Sequence, residues 1–192
     1  MVQNRYRVLI LEDKPEHAKN IEEFITSPTC EPVMVLTPES AYRKLSDGYD
    51  CYVFDINVGG TPGHEILLSG IRDGDIRVPC IVMTAISDIK QFEKDYADVF
   101  MAFIDKQQSG WVETLQDKIF ELAKKDMRQH YMAYQFKKHG ELVLKINTND
   151  GWILGDNTIT VNQAIELLGS PSITEDIKNL VYRELVNLHR TL

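Results

Sequence analysis

Apolar and polar positions alternate in short blocks through the first two-thirds of the chain. Tyr6–Leu11 is a β-rich apolar run that stops at Glu12-Asp13, and it reads as a first strand. Pro15 suits the first turn of a helix, and Ala18, Ile21, Phe24 and Ile25 recur at helical spacing through about Thr26. Pro32–Leu36 is a second short strand. Thr37-Pro38 then supplies an N-cap and first helical residue, Ala41, Tyr42 and Leu45 a buried face, and Asp47-Gly48 a stop. Cys51–Phe54 is a third apolar run that ends at Asp55. A glycine-rich turn leads from it into the helix-like stretch His64–Arg72. Val78–Met83 is a fourth strand, ending in Thr84-Ala85, and Asp88 caps a helix to about Tyr96. Val99–Ile104 is the fifth strand, ending in Asp105-Lys106. Five strands alternating with helices predict an α/β fold: a doubly wound parallel sheet with helices on both faces.

From Trp111 to His139 there is no proline or glycine, and Trp111, Leu115, Ile119, Leu122, Ala123, Met127, Tyr131 and Tyr134 keep helical spacing up to a cap at Gly140. The spacing predicts an extended helix, with Lys124-Lys125-Asp126 as the place where it would break. The composition changes here, so the boundary is drawn between residues 1–126 and a small α+β domain over 127–192. In that domain Leu142, Leu144 and Ile146 alternate, Asn149-Asp150-Gly151 signals a hairpin before Trp152-Ile153-Leu154, and Gly155-Asp156-Asn157 turns the chain into Thr158–Val161. A helix over Asn162–Leu168 ends at Gly169. Ser172-x-x-Glu175 reads as a capping box opening a last helix, with Ile173, Ile177, Leu180, Val181, Leu185 and Leu188 on one face.

Composition narrows the function classes. The 192-residue chain is 43% hydrophobic and 26% charged, as soluble globular proteins are, and no apolar run is long enough to span a membrane. Cys30, Cys51 and Cys80 form no Cys-x-x-Cys pair, which suits reduced thiols in a cytoplasmic protein rather than a disulfide frame or zinc site. Residues 1–126 hold 14 Lys/Arg against 22 Asp/Glu, whereas residues 127–192 hold seven of each. A neutral tail whose last helix carries only Lys178, Arg183 and Arg190 weighs against a nucleic-acid-binding output.

In a parallel sheet the carboxyl ends of the strands share one rim, so Glu12-Asp13, Asp55, Thr84 and Lys106 are expected to converge. An aspartate there is a nucleophile, a metal ligand or a helix cap, and Asp55 precedes a loop rather than a helix, which disfavours the cap. Clustered carboxylates are relieved by a divalent cation, and hard oxygen ligands suit Mg²⁺. Asp55 beside such an ion, with the Lys106 cation and the Thr84 hydroxyl, is suited to phosphoryl transfer.

These residues carry a resemblance. Val8-Leu9-Ile10-Leu11-Glu12-Asp13, Asp55-Ile56-Asn57, Gly63, Val82-Met83-Thr84-Ala85 and Phe103-Ile104-Asp105-Lys106 are similar to the motifs of the receiver domain of bacterial two-component response regulators, over residues 5–125. The resemblance implies a flavodoxin-like five-stranded sheet of order 2-1-3-4-5. It implies that Asp55 accepts a phosphoryl group from a histidine kinase or histidine phosphotransfer protein. Glu12, Asp13, Asp55 and the main-chain carbonyl of Asn57 would hold Mg²⁺, Thr84 and Lys106 would contact the acyl phosphate, and Phe103 would turn as Thr84 moves. The chain would then be a signalling phosphoacceptor rather than an enzyme, with protein–protein contact, homodimerisation included, as its output.

Three positions depart from the family pattern. Gln107 replaces a proline that follows the lysine, Gly59 stands where proline is frequent, which implies a looser loop, and Ile86 is apolar where many members are polar. An apolar Ile86 neither orients nor activates water, so slow loss of the phosphoryl group is expected. A haloacid-dehalogenase-like phosphatase is a rival reading, but it needs an acid where this chain has Asn57. A DNA-binding transcriptional regulator is a second rival, disfavoured by the neutral tail.

Overall fold

The computed structural model describes residues 5–87, 89–137, 142–145 and 158–192. Its elements in chain order are β1 (Tyr6–Leu11), α1 (Pro15–Ile25), β2 (Cys30–Val35), α2 (Pro38–Lys44), β3 (Cys51–Asp55), β4 (Asn57–Val58), β5 (Thr61–Pro62), α3 (Gly63–Asp73), β6 (Cys80–Thr84), α4 (Ile89–Tyr96), β7 (Ala102–Asp105), α5 (Trp111–Leu122), α6 (Arg128–Gln135), β8 (Val143–Lys145), β9 (Thr158–Thr160), α7 (Val161–Gly169) and α8 (Glu175–His189).

Every residue of β3 and β6 is buried, as is Val8–Leu11 of β1; such continuous apolar runs belong to parallel strands covered on both faces. They form a five-stranded sheet of order β2-β1-β3-β6-β7, with all four ladders parallel. The order is the expected 2-1-3-4-5, because the short strands β4 and β5 pair only with each other. On one face, Val8, Ile10, Val53 and Ile81 pack with Ile21 and Ile25 of α1 and Leu115, Ile119 and Leu122 of α5. Full burial of each such side chain contributes about 1.5–3 kcal/mol. Cys30, Cys51 and Cys80 are free and buried, and desolvation pushes the Cys30 thiol up to about 11 and Cys51 well above its ordinary value.

The segment after Asp55, expected as a glycine-rich turn, forms a short hairpin. Val58 pairs with Thr61 and Asn57 with Pro62 across Gly59-Gly60, whose φ values of 58° and 84° are those a two-residue hairpin turn requires.

The chain divides into two compact units, one comprising residues up to Gly70 and Val78–Asp126, the other Ile71–Arg77 and Met127–Leu192. The stretch Ile71–Arg77 therefore groups with the second unit, where the sequence boundary put it in the first. Its main chain is bonded within that unit: Met127 N–H donates to the Arg77 carbonyl (2.9 Å), Gln135 Nε2 to Ile71 (3.0 Å) and Arg190 to Asp73 (2.7 Å). The Arg77 guanidinium lies over the Tyr182 ring at 4.9 Å.

The extended helix over Trp111–His139 is also corrected. Helix α5 stops at Leu122 and α6 starts at Arg128. Lys124 takes a left-handed φ of 68°, costing about 1–2 kcal/mol, while its N–H donates to the Asp50 carbonyl (3.0 Å) and its ammonium lies 4.7 Å over the Tyr6 ring. Those tertiary contacts end a helix that no proline or glycine marks.

In the second unit β8 and β9 pair antiparallel. The core gathers Met132, Phe136, Leu144, Ile159, Val161, Leu168, Val181, Tyr182, Leu185 and Val186. The capping box lies at Thr160-x-x-Gln163 rather than Ser172-x-x-Glu175: Thr160 Oγ1 accepts from Gln163 N (3.2 Å) and Gln163 Oε1 from Thr160 N (2.9 Å). Helix α8 begins after Thr174, with no side-chain cap. The expectations at Asp88, His139-Gly140, Ile146, Asn149-Asp150-Gly151, Trp152–Leu154 and Gly155–Asn157 lie outside the described residues. Among the described residues, no helix is long and apolar enough to cross a membrane.

Candidate functional site

The site is built at the carboxyl rim of the first unit's sheet. Glu12 and Asp13 follow β1, Asp55 ends β3, Thr84 ends β6, and Lys106 follows β7. Parallel register brings these ends together: Leu11 pairs with Phe54, Asp55 with Met83, and Thr84 with Asp105. Glu12, Asp13 and Asp55 each present an oxygen within 4.8 Å of the others. Lys106 Nζ donates to Glu12 Oε2 (2.7 Å) and to Asp55 Oδ2. Its side chain is 2% exposed, and that of Glu12 0%. A buried ammonium persists only where charge-matched acceptors surround it, and here the carboxylates supply them.

Each carboxylate has a fixed orientation. Asn57 N–H donates to Asp55 Oδ1 (3.2 Å), and Gly59 N–H, at the hairpin tip, donates to Asp13 Oδ2 (2.7 Å). Asp13 Oδ1 is buried with no hydrogen-bond partner among the described residues. An all-oxygen donor set with an unsatisfied carboxylate oxygen fits a hard divalent cation. The backbone also passes close here. A Cβ at Gly63 would collide with the Asp55 carbonyl oxygen, so only glycine lets α3 start against the strand end.

Thr84 is buried, and its Oγ1 accepts from Ile86 N (3.0 Å). Ile86 is partly exposed beside it. Asn57 is at the start of the hairpin, and its side-chain oxygen accepts from Gly60 N (3.2 Å). Phe103, half-buried on β7, belongs to an aromatic group with Phe92 (6.1 Å) and Phe100 (6.3 Å). His64, in the first turn of α3, packs edge-on against Phe92 and Tyr96 of α4, and desolvation lowers its pKa despite the neighbouring Glu65.

Four contacts escaped the sequence reading. His17 Nδ1 lies 3.5 Å from Glu12 Oε1, and its ring meets Trp111 edge-on at 5.9 Å. His17 is on α1 while Glu12 precedes that helix, so no helical spacing links the two in the sequence. Gly59 reaches Asp13 only because the hairpin folds back, and Gln107 reaches the Ala85 carbonyl through its side chain (2.7 Å).

The response regulator receiver domain model matches residues 8–119. No curated protein matches the chain. Among solved structures, a Francisella response regulator receiver domain is 17% identical, with a TM-score of 0.54, covering 61% of this chain and 95% of its own. The response regulator domain of Thermotoga maritima CheB is 18% identical, with a TM-score of 0.54, covering 64% and 99%. A CheY-like receiver domain from Methanospirillum hungatei JF-1 is 20% identical, with a TM-score of 0.52, covering 62% and 93%. At these identities the likeness establishes the flavodoxin-like receiver fold alone, and the family match ends before α6. Spanning more than half of the chain, it shows that this protein belongs to the response regulator receiver domain family.

Proposed function

We propose that Asp55 is the phosphoacceptor of a two-component signalling protein and that residues 127–192 pass the signal on by protein–protein contact. The observation that carries this reading is the Glu12–Asp13–Asp55 cluster with Lys106 held between two of its members. The phosphodonor is a histidine kinase or a histidine phosphotransfer protein. An Asp55 carboxylate oxygen attacks the phosphorus of the phosphohistidine; the new O–P bond forms as the N–P bond breaks, and the imidazole nitrogen leaves with the electron pair.

Mg²⁺ would be held by Glu12, Asp13, Asp55 and the Asn57 main-chain carbonyl; when bound it neutralises charge on the transferred phosphoryl oxygens. Lys106 leaves its carboxylate partners to donate to one phosphoryl oxygen, and the Thr84 hydroxyl donates to another. Acyl phosphate brings about −1.5 to −2 charge. Drawing Thr84 toward that charge vacates space into which Phe103 turns. Asn57 is no general acid, which favours this role over a phosphatase, and the neutral second unit favours a protein partner over DNA. The three buried thiols and the composition fit a cytoplasmic protein.

The test is incubation of the full chain with Mg²⁺ and phosphoramidate, followed by intact-mass measurement. Wild type is expected to gain one acid-stable, base-labile phosphate, and Asp55→Ala to gain at least ten-fold less. With Ile86 unable to activate water, that phosphate persists for minutes once the donor is removed. Equal labelling of Asp55→Ala would overturn the assignment, and loss within seconds would remove the role given to Ile86.

A further inference from the structure

The last ladder pair of β6 and β7 is Thr84 with Asp105; beyond it one loop leaves Thr84 at Ala85 and the other opens with Lys106, the second of the two groups meant for the phosphoryl oxygens. Two further hydrogen bonds hold those loops together. Lys106 N–H donates to the Thr84 carbonyl (2.7 Å), and the side-chain amide of Gln107 donates to the Ala85 carbonyl (2.7 Å). The second bond replaces a missing main-chain rung with a side-chain one.

Gln107 is aimed by its own loop. Asp105 Oδ1 accepts from Gln107 N (2.9 Å), an Asx turn that fixes where the glutamine side chain leaves the backbone. Asp105 Oδ2 accepts from Gln108 Nε2 (3.4 Å), and Asp105 O from Gln108 N (3.1 Å), which tighten the same turn. On the facing loop, Ile86 N–H donates to Thr84 Oγ1 (3.0 Å), so the position of Ala85 and the orientation of the threonine hydroxyl are set by one short piece of backbone.

We propose that Gln107 is a positioning residue that locks the loop leaving Thr84 to the loop bearing Lys106, so that both donors meet the acyl phosphate as one unit. The inference rests on the phosphoacceptor reading above. The Gln107 side chain acts through the Ala85 carbonyl rather than through Glu12, Asp13 or Asp55. Without its donor, the Lys106 N–H to Thr84 carbonyl bond remains but the loop after Thr84 loses its second tie, and the spacing of the two oxygen-binding groups is fixed less tightly before reaction. Positional looseness of this kind lowers the rate of the chemical step and leaves ground-state binding almost unchanged.

Full-length Gln107→Leu, Gln107→Glu and Gln107→Arg are compared with wild type and Asp55→Ala. Phosphorylation by phosphoramidate is followed over a range of donor concentrations, Mg²⁺ binding by tryptophan fluorescence, and amide hydrogen exchange at Ile86 and Lys106 without donor. Gln107→Leu is expected to lower the saturating rate about three- to ten-fold, as loss of one hydrogen bond would. The half-saturating donor concentration, the Mg²⁺ affinity and the melting temperature should stay near wild type, while both amides exchange faster. Gln107→Glu sets an acceptor against the Ala85 carbonyl and loses at least as much. Gln107→Arg restores an N–H donor and recovers most of the rate.

Saturating rates within two-fold of wild type for Gln107→Leu, or unchanged exchange at Ile86 and Lys106, would overturn the lock. So would equal losses of rate, Mg²⁺ affinity and melting temperature, which would make Gln107 a general structural residue. Failure of the phosphoacceptor reading looks different: wild type and Asp55→Ala label alike, whatever residue 107 is.

Discussion

One buried cation in each unit shows how differently the same charge can be used. The Lys106 side chain is 2% exposed and that of Arg128 5%. Lys106 is a compact ammonium among three carboxyl groups. It bonds to Glu12 and Asp55, while Asp13 keeps one buried oxygen without a hydrogen-bond partner among the described residues. Arg128 presents a planar fork to Glu175 Oε1 (2.7 Å) and Asn179 Oδ1 (2.8 Å), and Glu175 is 67% exposed. Around Arg128 both of these acceptors belong to residues open to water. Around Lys106 the acceptors outnumber the one cation and are dry. The first arrangement clasps α6 to α8, whereas the second gains from any further positive charge brought to it.

Removing each charge separates the two uses. Lys106→Met leaves Glu12 and Asp55 facing each other without a cation, and urea unfolding is expected to show a loss of about 3–5 kcal/mol. Millimolar Mg²⁺ should recover part of this, with a larger stabilising increment than in wild type, because the ion then supplies the only positive charge in the cluster. A loss under about 1 kcal/mol, or an increment no larger than that of wild type, would break the contrast.

Arg128→Met is expected to cost less, about 1–3 kcal/mol, since Glu175 and Asn179 return to solvent when the fork is gone. Its Mg²⁺ increment should equal that of wild type. Hydrogen exchange should rise along Ile71–Arg77 as well as in α6, because Arg77 shares Asn179 with Arg128 (3.4 and 2.8 Å). Exchange rising in α6 alone would mean that Ile71–Arg77 is held without this network.

The contrast also explains what was legible beforehand. The five-stranded alternation was readable because each apolar run ends in a polar residue that the sheet then exposes at one rim. Glu12, Asp13, Asp55, Thr84 and Lys106 were readable because strand ends converge whatever the loops do. The β4–β5 hairpin was not, since two-residue strands have no period, although Gly59-Gly60 was its signal. The break after Leu122 was foreseen only as an option, because it depends on Lys124 reaching Asp50 and Tyr6 rather than on a helix-breaking residue. Ser172-x-x-Glu175 and Thr160-x-x-Gln163 both satisfy the capping pattern, and only the surrounding fold decides between them. The Ile71–Arg77 stretch leaves no local trace, since Met127, Gln135 and Arg190, far along the chain, provide its partners.

His64 shows the remaining way to bury a titratable group, which is to keep it neutral. Its ring sits against Phe92 (5.0 Å) and Tyr96 (5.2 Å), and desolvation lowers its pKa from 6.5; Glu65, with its carboxylate 3.6 Å from His64 Nε2, opposes this and does not reverse it. In the unfolded chain the imidazole binds a proton near its ordinary pKa, whereas the folded protein resists that proton. The unfolded state therefore takes up more protons as pH falls below 6.5, and stability falls with it until the lower folded value is passed. Above 6.5 the two states bind protons alike and the contribution is intact. His64→Gln, which keeps a polar side chain but does not titrate, should lose less melting temperature between pH 7.5 and 5.5 than wild type. This is expected to be the smallest of the effects, because Glu65 offsets part of the desolvation. Parallel pH profiles for the two proteins would mean that the burial of His64 contributes nothing to the pH dependence of stability.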